Sequence, residues 1–372
     1  MVSERTAVAQ DVFVFRIGQL GDTLVALPAI HRIADLHPGA NLWLITNKPA
    51  HKSVVSAWDV LEHTDLFQDV LFYGSREPIE LARLAWRMRR AEDGIVYYLS
   101  PPRSLLRLWR DRLFLRFVCG VPRIAAMPAA SSVTPRDAQG QLRVLPRESE
   151  RLLESVTSVD PSADTPRPKL PFLQPPRAAS YKARELLGAF ADRPLIALGP
   201  GSKMPAKRWF LSRYIEVCRR ITKQHDRVGL VILGGAEDHE AGSAIVSAVG
   251  AERALNLAGQ TNIIESAAAL AHCGLYLGND TGTMHLAASM GVPCIAVFTS
   301  RENRDTWAPW GEQHAILRRD LPCSGCMLER CEREHMRCLH LITVDDVWNE
   351  VALRLPDLRA PTPSLRVLSS SS

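Results

Sequence analysis

The residues best suited to chemistry in this chain lie in one polar turn, Asn279–His285. The apolar run Leu275–Leu277 precedes the turn and a good helix-forming sequence follows it, so we expect a strand, a tight turn and a helix. Asp280 and Thr281 are residue types that cap helix starts. Because free backbone N–H groups at a helix start attract anions, the turn predicts a phosphate-bearing ligand at the carboxyl end of a parallel sheet.

The glycines of this turn, Gly278 and Gly282, indicate a sharp backbone reversal around the polar residues. Thr283, Met284 and His285 then open the helix. One alternative is a plain helix cap without a ligand. The alternative for His285 is a buried histidine whose hydrogen bonds are satisfied in the core.

A second candidate loop, Gly199–Trp209, also follows an apolar run. Its glycines allow a backbone to approach a ligand, and lysine is a strong point-charge partner for phosphate. The loop lacks the Gly-x4-Gly-Lys-Ser/Thr pattern of a P-loop, and an exposed basic turn is the alternative. The candidate ligand-binding residues of this loop are Gly201, Ser202, Lys203, Lys207 and Arg208.

Carboxylates follow two other predicted strands. Asp22 comes after the strand Val12–Phe15, where a carboxylate facing a cleft can accept a proton from a hydroxyl nucleophile. The alternative is that Asp22 is the N-cap of the next helix. Glu237 and Glu240 follow the run Val228–Leu233 and suit either the positive end of a helix dipole or the ribose hydroxyls of a nucleotide.

Four of the eight cysteines are closely spaced, in the pattern C-x2-C-x4-C-x6-C: Cys323, Cys326, Cys331 and Cys338. Four thiolates suit a tetrahedral zinc or iron ion, but the spacing is shorter than that of paired zinc knuckles. Thiols in a structural loop are the alternative. The other four cysteines lie in apolar surroundings and are expected to be buried small hydrophobic residues.

Predicted strands and helices alternate along both halves of the chain, which indicates parallel sheets with helices on both faces. One helix is expected over Leu24–Leu36, with Pro28 in or near its first turn. We expect two doubly wound α/β domains that face each other across a cleft. Their bounds are residues 1–165 for the N-terminal domain, 166–180 for a proline-rich linker, 181–358 for the C-terminal domain with the cysteine loop 323–338, and 359–372 for a disordered tail.

The composition of the 372 residues, with 46% apolar and 23% charged, excludes a mostly disordered chain. The net charge of +5 is mild, but eleven arginines stand against five acidic residues between Arg76 and Arg123. This excess predicts an anionic partner, with solvated helix faces as the alternative. Because no signal peptide and no apolar run of about 20 residues is found, we expect a cytoplasmic protein whose membrane contact is at most peripheral.

Several segments together resemble the heptosyltransferases of glycosyltransferase family 9. The resemblance covers nearly the whole chain, and the segments occur in the family's order and spacing. Its strongest part is Asn279–Ala288. The other matching segments are Arg16–Leu24, Pro28–Ala29, Gly199–Gly201, Pro205–Trp209, Glu237–Gly242 and Asn256–Gly259.

The resemblance implies a GT-B fold of two facing Rossmann-like domains and inverting transfer of heptose from ADP-heptose. It also implies that no catalytic cofactor or divalent metal is required. Asp22 matches the family's general base, and Lys207 matches a lysine that holds the phosphates of the nucleotide sugar. The turn Asp280–His285 matches the diphosphate- and sugar-binding turn, and Glu237 or Glu240 the ribose contact. A structural zinc or iron in the cysteine loop stays open, because a related group that heptosylates autotransporter proteins uses cysteine-bound iron.

The implied reaction starts when Asp22 removes a proton from an acceptor hydroxyl, whose oxygen attacks the anomeric carbon opposite ADP. Lys207 and the helix start Thr281–Met284 stabilise the charge on the departing diphosphate. Arg16 and Gln19 are expected beside the acceptor, an anionic glycan or lipid such as a lipopolysaccharide core sugar, and no nucleic acid is expected. The alternatives are transfer from another nucleotide sugar or to a protein, and nucleotide-sugar binding without turnover.

Overall fold

The computed structural model describes residues 10–49, 55–74, 77–91, 93–100, 104–128, 136–137, 139–160, 166–332 and 335–358. Contacts divide the chain into two compact units. The first unit comprises the described residues up to Gln174 and also Glu302–Trp310; the second comprises Pro175–Arg301 and the described residues from Gly311 onward. In this described part, no helix combines the length and apolar character needed to cross a bilayer.

The first unit is built on a five-stranded parallel sheet. Its strands are β1 (Asp11–Phe15), β2 (Asn41–Thr46), β3 (Phe67–Phe72), β4 (Ile95–Tyr98) and β5 (Arg123–Ala125), in the order β3-β2-β1-β4-β5. Its helices are α1 (Leu20–Leu36), α2 (Ala57–Leu61), α3 (Pro78–Arg89), α4 (Leu105–Leu113) and α5 (Glu148–Thr157), and a π-helical turn, Phe114–Val118, continues α4. The apolar residues of the central strands β1 and β4 are buried, as expected for strands covered on both faces.

The second unit contains a six-stranded parallel sheet. Its strands are β6 (Leu195–Gly199), β7 (Gly229–Ile232), β8 (Ala254–Asn256), β9 (Cys273–Asn279), β10 (Cys294–Val297) and β11 (Ala315–Leu317), in the order β11-β10-β9-β6-β7-β8. Its helices are α6 (Arg177–Leu187), α7 (Leu211–Gln224), α8 (His239–Val249), α9 (Ile263–Leu270), α10 (Gly282–Ser289), α11 (Arg337–His340) and α12 (Val344–Arg354). Short 3-10 turns cover Gly188–Asp192, Pro205–Lys207, Ala236–Asp238 and Leu355–Asp357.

Both sheets have the same strand order when strands are counted within each unit. The first strand is central, with the second strand on one side and the fourth on the other. The order therefore reverses between β1 and β4 in the first unit and between β6 and β9 in the second. In open α/β sheets, ligands bind at the carboxyl ends of the strands at such a reversal. The prediction of α/β architecture with parallel sheets is confirmed.

The structure corrects the predicted start of the first helix. Helix α1 begins at Leu20 rather than Leu24, because Gln19 and Asp22 form a reciprocal capping box at its start. Pro28, predicted in or near the first turn, consequently lies in the helix interior.

Two predicted domain boundaries also need correction. Helix α6 begins at Arg177, inside the predicted linker 166–180, because Pro176 supplies the extended backbone that suits the residue before a helix. Glu302–Trp310 lies within the predicted C-terminal domain but belongs to the first unit. There, Asn303 Nδ2 donates to the Arg143 carbonyl oxygen at 2.7 Å. The predicted tail 359–372 lies outside the described residues.

Candidate active site

Asn279, the last residue of β9, joins the two loops at the strand reversal of the second unit. Its side chain is fully buried. The Nδ2 group donates to the carbonyl oxygens of Pro200 at 2.7 Å and Gly201 at 3.1 Å. The Oδ1 atom accepts from the Trp209 backbone N–H at 3.0 Å and from the Tyr214 hydroxyl at 2.9 Å. One amide thereby ties the loop after β6 to the end of β9.

A buried ion pair makes a second connection between these loops. Lys207 Nζ lies 2.6 Å from Asp280 Oδ2, and the two side chains are only 13% and 9% exposed. Lys207 ends the 3-10 turn Pro205–Lys207, while Asp280 directly follows β9. A phosphate arriving here would meet a lysine whose position is already set by a carboxylate.

Helix α10 starts immediately after this ion pair, with Thr281 as its N-cap. Thr281, Gly282 and Thr283 are partly exposed, so the first backbone N–H groups of the helix lie near solvent. Met284 has no exposed surface and His285 is 6% exposed. The predicted ligand contact of Met284 is therefore corrected, since the residue packs in the core and has no surface that a ligand can reach. His285 is buried, as its alternative interpretation proposed.

The glycines near this turn have a different role from the predicted one. Neither Gly278 nor Gly282 has a positive φ angle, so neither position needs a glycine for its backbone conformation. Instead, the ring of Tyr276 lies along the sheet: a Cβ on Gly199 would lie 1.9 Å from the Tyr276 hydroxyl, and one on Gly278 would lie 2.3 Å away. Burial raises the pKa of Tyr276, so its hydroxyl stays protonated beneath the turn.

The acidic loop after β7 contributes a residue that sequence reasoning missed. Glu237 and Glu240 are exposed, whereas Asp238 is partly buried. Asp238 Oδ2 accepts the Gly235 N–H at 3.1 Å, and a Cβ on Gly201 would lie 1.7 Å from Asp238 Oδ1. Burial raises the pKa of Asp238, helped by the charge of Glu237. Its spacing of three residues from Gly235, typical of a capping box, was the available signal.

The remaining predicted residues of the loop after β6 differ in how exposed they are to solvent. Ser202 is 8% exposed, and its hydroxyl accepts the Met204 N–H at 3.2 Å. Lys203 and Arg208 are exposed, and Arg208 Nε donates to the Ser202 carbonyl at 2.7 Å. The positive charges of Arg208 and Lys203 act against the raised pKa of Asp238. These two cations thus lie close to the acidic loop after β7.

In the first unit, Asp22 occupies the third position of α1 rather than the N-cap. Its Oδ2 atom accepts the Gln19 N–H at 2.7 Å, and its side chain remains 26% exposed. Gln19 is the N-cap and is exposed. The carboxylate therefore has a fixed position at the end of β1 together with a solvent-facing surface.

Arg16 holds the backbone of Asp22 in place. It is fully buried, and its guanidinium donates to the Leu99 carbonyl at 2.6 Å and to the Asp22 carbonyl. One of its nitrogens lies 3.9 Å from Asp22 Oδ1. The predicted acceptor contact of Arg16 is therefore corrected: a guanidinium without exposed surface holds the loop in place instead of gripping a ligand.

The four clustered cysteines do converge. Cys323, Cys326, Cys331 and Cys338 line one cavity of about 20 Å³, together with Arg301 and other residues. Cys331 Sγ accepts the Met336 N–H at 3.2 Å. Among the described residues, however, no three His, Cys, Asp or Glu side chains are arranged to hold a metal ion. As placed in the described part of the chain, the four thiols do not form a metal-binding group.

Comparison with known proteins shows the family to which the chain is similar. The family model described as glycosyltransferase family 9 (heptosyltransferase) matches residues 137–337, more than half of the chain. Lipopolysaccharide heptosyltransferase 2 of Salmonella typhimurium is 34% identical over 140 residues, which cover 36% of this chain and 40% of that protein. The chain thus matches less than half of the length of this relative.

Two solved structures resemble nearly the whole chain. E. coli ADP-heptose lipopolysaccharide heptosyltransferase II gives a TM-score of 0.66 at 22% identity, covering 94% of this chain and 99% of that chain. A family 9 glycosyltransferase of Veillonella parvula gives 0.70 at 18% identity, covering 94% and 98%. At these identities the likeness concerns the fold, and it confirms the predicted GT-B class.

Proposed function

The chain belongs to glycosyltransferase family 9, and on that premise we propose that it moves a heptose from ADP-heptose to a hydroxyl of a lipopolysaccharide core sugar, with inversion. The observation that carries the proposal is the pair of interlocked loops after β6 and β9. They present Lys207, Asp280 and the start of α10 at the strand reversal, where a diphosphate is expected.

Asp22 is the general base of the proposed reaction. Its carboxylate accepts the proton of the acceptor hydroxyl, and the hydroxyl oxygen forms a bond to the anomeric carbon of the heptose. The bond from that carbon to the diphosphate breaks at the same time, on the opposite face. The exposed part of the Asp22 side chain supports this role, because a base must reach the proton that it removes.

The leaving group of the reaction is ADP, on whose diphosphate negative charge grows as the bond breaks. Lys207 and the first N–H groups of α10 stabilise that charge, because preorganised dipoles and cations need no rearrangement during the reaction. This arrangement supplies the stabilisation that a divalent metal would otherwise give. The proposed reaction accordingly requires no cofactor.

The acceptor and the location complete the proposal. Gln19, exposed beside Asp22, is the remaining predicted acceptor contact. An anionic glycan or lipid suits the arginine excess of residues 76–123. A cytoplasmic location with peripheral contact to the inner membrane belongs to the same proposal.

A nucleotide-sugar screen tests the proposed function most directly. The purified chain is assayed for release of the nucleoside diphosphate from ADP-heptose, UDP-sugars and GDP-sugars, each with a lipopolysaccharide core acceptor. We expect turnover with ADP-heptose alone. Preference for a UDP- or GDP-sugar would replace the heptose assignment, transfer to a protein would replace the acceptor, and tight binding without turnover would indicate a binding protein.

The cysteine loop requires a separate measurement, because its predicted zinc or iron is independent of the transfer reaction. Elemental analysis of purified protein shows whether the four thiols bind a metal. An amount below about half an equivalent of zinc or iron contradicts a structural metal site.

A further inference from the structure

Helix α4 and the π-helical turn after it carry apolar residues on two opposite faces. Leu108 and Leu115 are buried in the core of the first unit. A second set points outward and recurs at spacings of three and four residues, which places it on one side of the helix. This set, called the outer stripe below, consists of Leu106, Trp109, Leu113 and Phe117, which are 83%, 56%, 48% and 70% exposed.

The outer stripe is held in place by contacts on the buried face. Asp111 is fully buried and accepts hydrogen bonds from the Tyr73 and Tyr98 hydroxyls, both at 2.6 Å. At the C-terminal end of the segment, Arg89 of α3 donates from Nε to the Val118 carbonyl at 2.7 Å. Because the middle and the C-terminal end of the segment are anchored to the first unit, the stripe keeps its outward orientation.

Basic residues flank the outer stripe on both sides. By helix periodicity, Arg107 and Arg110 lie along one side of it and Arg112 and Arg116 along the other. All four are exposed, but Arg110 pairs at 2.7 Å with Asp111, the one acidic residue of the described segment 104–118, so Arg107, Arg112 and Arg116 carry the net positive charge. The surface therefore combines a continuous apolar stripe with positive charge.

The end of α3 extends this surface. Arg89 also donates to the Phe117 carbonyl, at 3.3 Å, so the last turn of α3 lies beside the end of the stripe. Trp86, one turn earlier, is 58% exposed, and the Arg90 guanidinium lies 4.1 Å from its ring centroid. Tryptophan, leucine and arginine are the residues that anchor proteins between lipid head groups and acyl chains.

We propose that the outer stripe docks this chain on an anionic lipid bilayer, with its apolar side chains among the acyl chains and its arginines against the phosphates. Charge complementarity selects this occupant over a second copy, because two copies meeting at the stripe would bring like charges together.

Vesicle flotation of the full chain tests this inference, which rests on the membrane contact of the proposed function and assigns that contact to one surface; flotation is measured apart from heptose transfer. The vesicles are phosphatidylcholine with or without phosphatidylglycerol, and no nucleotide sugar is added. The stripe variant is Leu106→Gln/Trp109→Gln, and its control, Val144→Gln/Leu353→Gln, removes two exposed apolar side chains elsewhere. The charge variant is Arg107→Gln/Arg112→Gln, with the exposed pair Arg177→Gln/Arg219→Gln as its control.

We expect the wild type to bind vesicles that contain phosphatidylglycerol and to bind them less as salt rises. The stripe variant should bind at least about tenfold more weakly, and the charge variant about fivefold more weakly per arginine at low salt. Both controls should bind like the wild type, and thermal unfolding should confirm that all variants fold.

Four results would overturn the inference. The first is no wild-type binding to anionic vesicles. The second is equal binding by the wild type and the stripe variant. The third is equal wild-type binding to neutral and anionic vesicles. The fourth is a concentration-dependent dimer that the stripe variant loses while vesicles stay unbound, which would assign the stripe to a second copy of the chain. Transfer to a water-soluble acceptor, assayed separately, shows whether the proposed function fails on its own.

Discussion

The two units share one strand order but hold their candidate residues in different ways. In the second unit, buried contacts fix the loops at the carboxyl ends of β6 and β9. Asn279 forms hydrogen bonds with four groups of the neighbouring loop and helix, and Lys207 pairs with Asp280. In the first unit, the corresponding loop rests on partly exposed contacts, such as Gly18 N–H to Asn47 Oδ1 at 3.2 Å. The fully buried Arg16 supports this loop through the Asp22 carbonyl.

The difference matches the chemistry that each edge would perform. Stabilising a leaving diphosphate requires charges and dipoles that are fixed before the reaction, which favours buried, mutually bonded groups. Taking a proton from a large acceptor requires a carboxylate that the acceptor can reach. Asp22 meets this requirement with about a quarter of its side chain exposed. Four sets of variants test this difference between the two units.

The largest expected effect comes from Asp22→Asn in the first unit. Because Asn keeps the shape and can still accept the Gln19 N–H, the fold should remain intact while the proton acceptor is lost. We expect kcat to fall about 10³-fold with unchanged affinity for ADP-heptose. ADP release and titration calorimetry measure the two quantities. Asp35→Asn, an exposed carboxylate of the same helix, is the control; full activity of Asp22→Asn would remove the base assignment.

Next in size is Lys207→Met in the second unit. Loss of the cation should lower turnover about 10²-fold. It also leaves the buried Asp280 carboxylate unpaired, which should reduce the free energy of unfolding by about 2–4 kcal/mol. Urea denaturation and ADP release test both effects. The control Lys223→Met, at an exposed lysine, should change neither turnover nor the free energy of unfolding. A stable, active Lys207→Met would show that the ion pair does not hold the loops after β6 and β9 together.

Asn279→Ala and Asn47→Ala compare the loop supports of the two units directly. Removing the Asn279 amide leaves Trp209 N–H and the Tyr214 hydroxyl buried without their partner, so we expect a loss of about 2–4 kcal/mol. Asn47→Ala removes a partly exposed contact and should cost less than about 0.5 kcal/mol. Chemical denaturation measures both; equal losses would contradict the difference between the units.

The smallest effect concerns pH and Asp238. Because burial raises its pKa in the folded state above the ordinary carboxyl value, the folded chain binds more protons than the unfolded chain in this range. The contribution of Asp238 to stability is therefore present at low pH and lost as pH rises through the raised pKa. Asp238→Asn should gain stability relative to the wild type as pH rises from the ordinary carboxyl pKa through the raised pKa of Asp238. Urea midpoints measure this, and a difference that stays constant with pH would contradict it.

Much of the fold was predictable because strand and helix periodicity are local properties. The predicted strand Val12–Phe15 is observed as Asp11–Phe15, and the apolar run Leu275–Leu277 lies within strand β9. That Glu302–Trp310 belongs to the first unit was not predictable, since nothing in its sequence indicates the surface on which it packs. The capping box that moves the start of α1 was readable in principle from Gln19 and Asp22.

In the candidate site, too, some features were predictable from the sequence and others were not. The candidate loops were identified because glycines and polar residues follow apolar runs, and each loop lies at a strand end in the structure. The roles of individual residues were less accessible. Arg16 and Met284 are suited by type to ligand contact, yet both are fully buried. Asp238 attracted no attention beside Glu237 and Glu240, although it is the acid packed against Gly201.

The sequence by itself determined the α/β class, the family and the loops that carry the candidate chemistry, because these depend on residue type and spacing along the chain. Only the tertiary structure decided which side chains are reachable and which are structural. Burial and hydrogen bonding depend on residues far apart in the chain: Asn279 bonds Pro200 across 79 positions, and Lys207 pairs with Asp280 across 73. Such contacts form only when the parallel strands bring their carboxyl ends together.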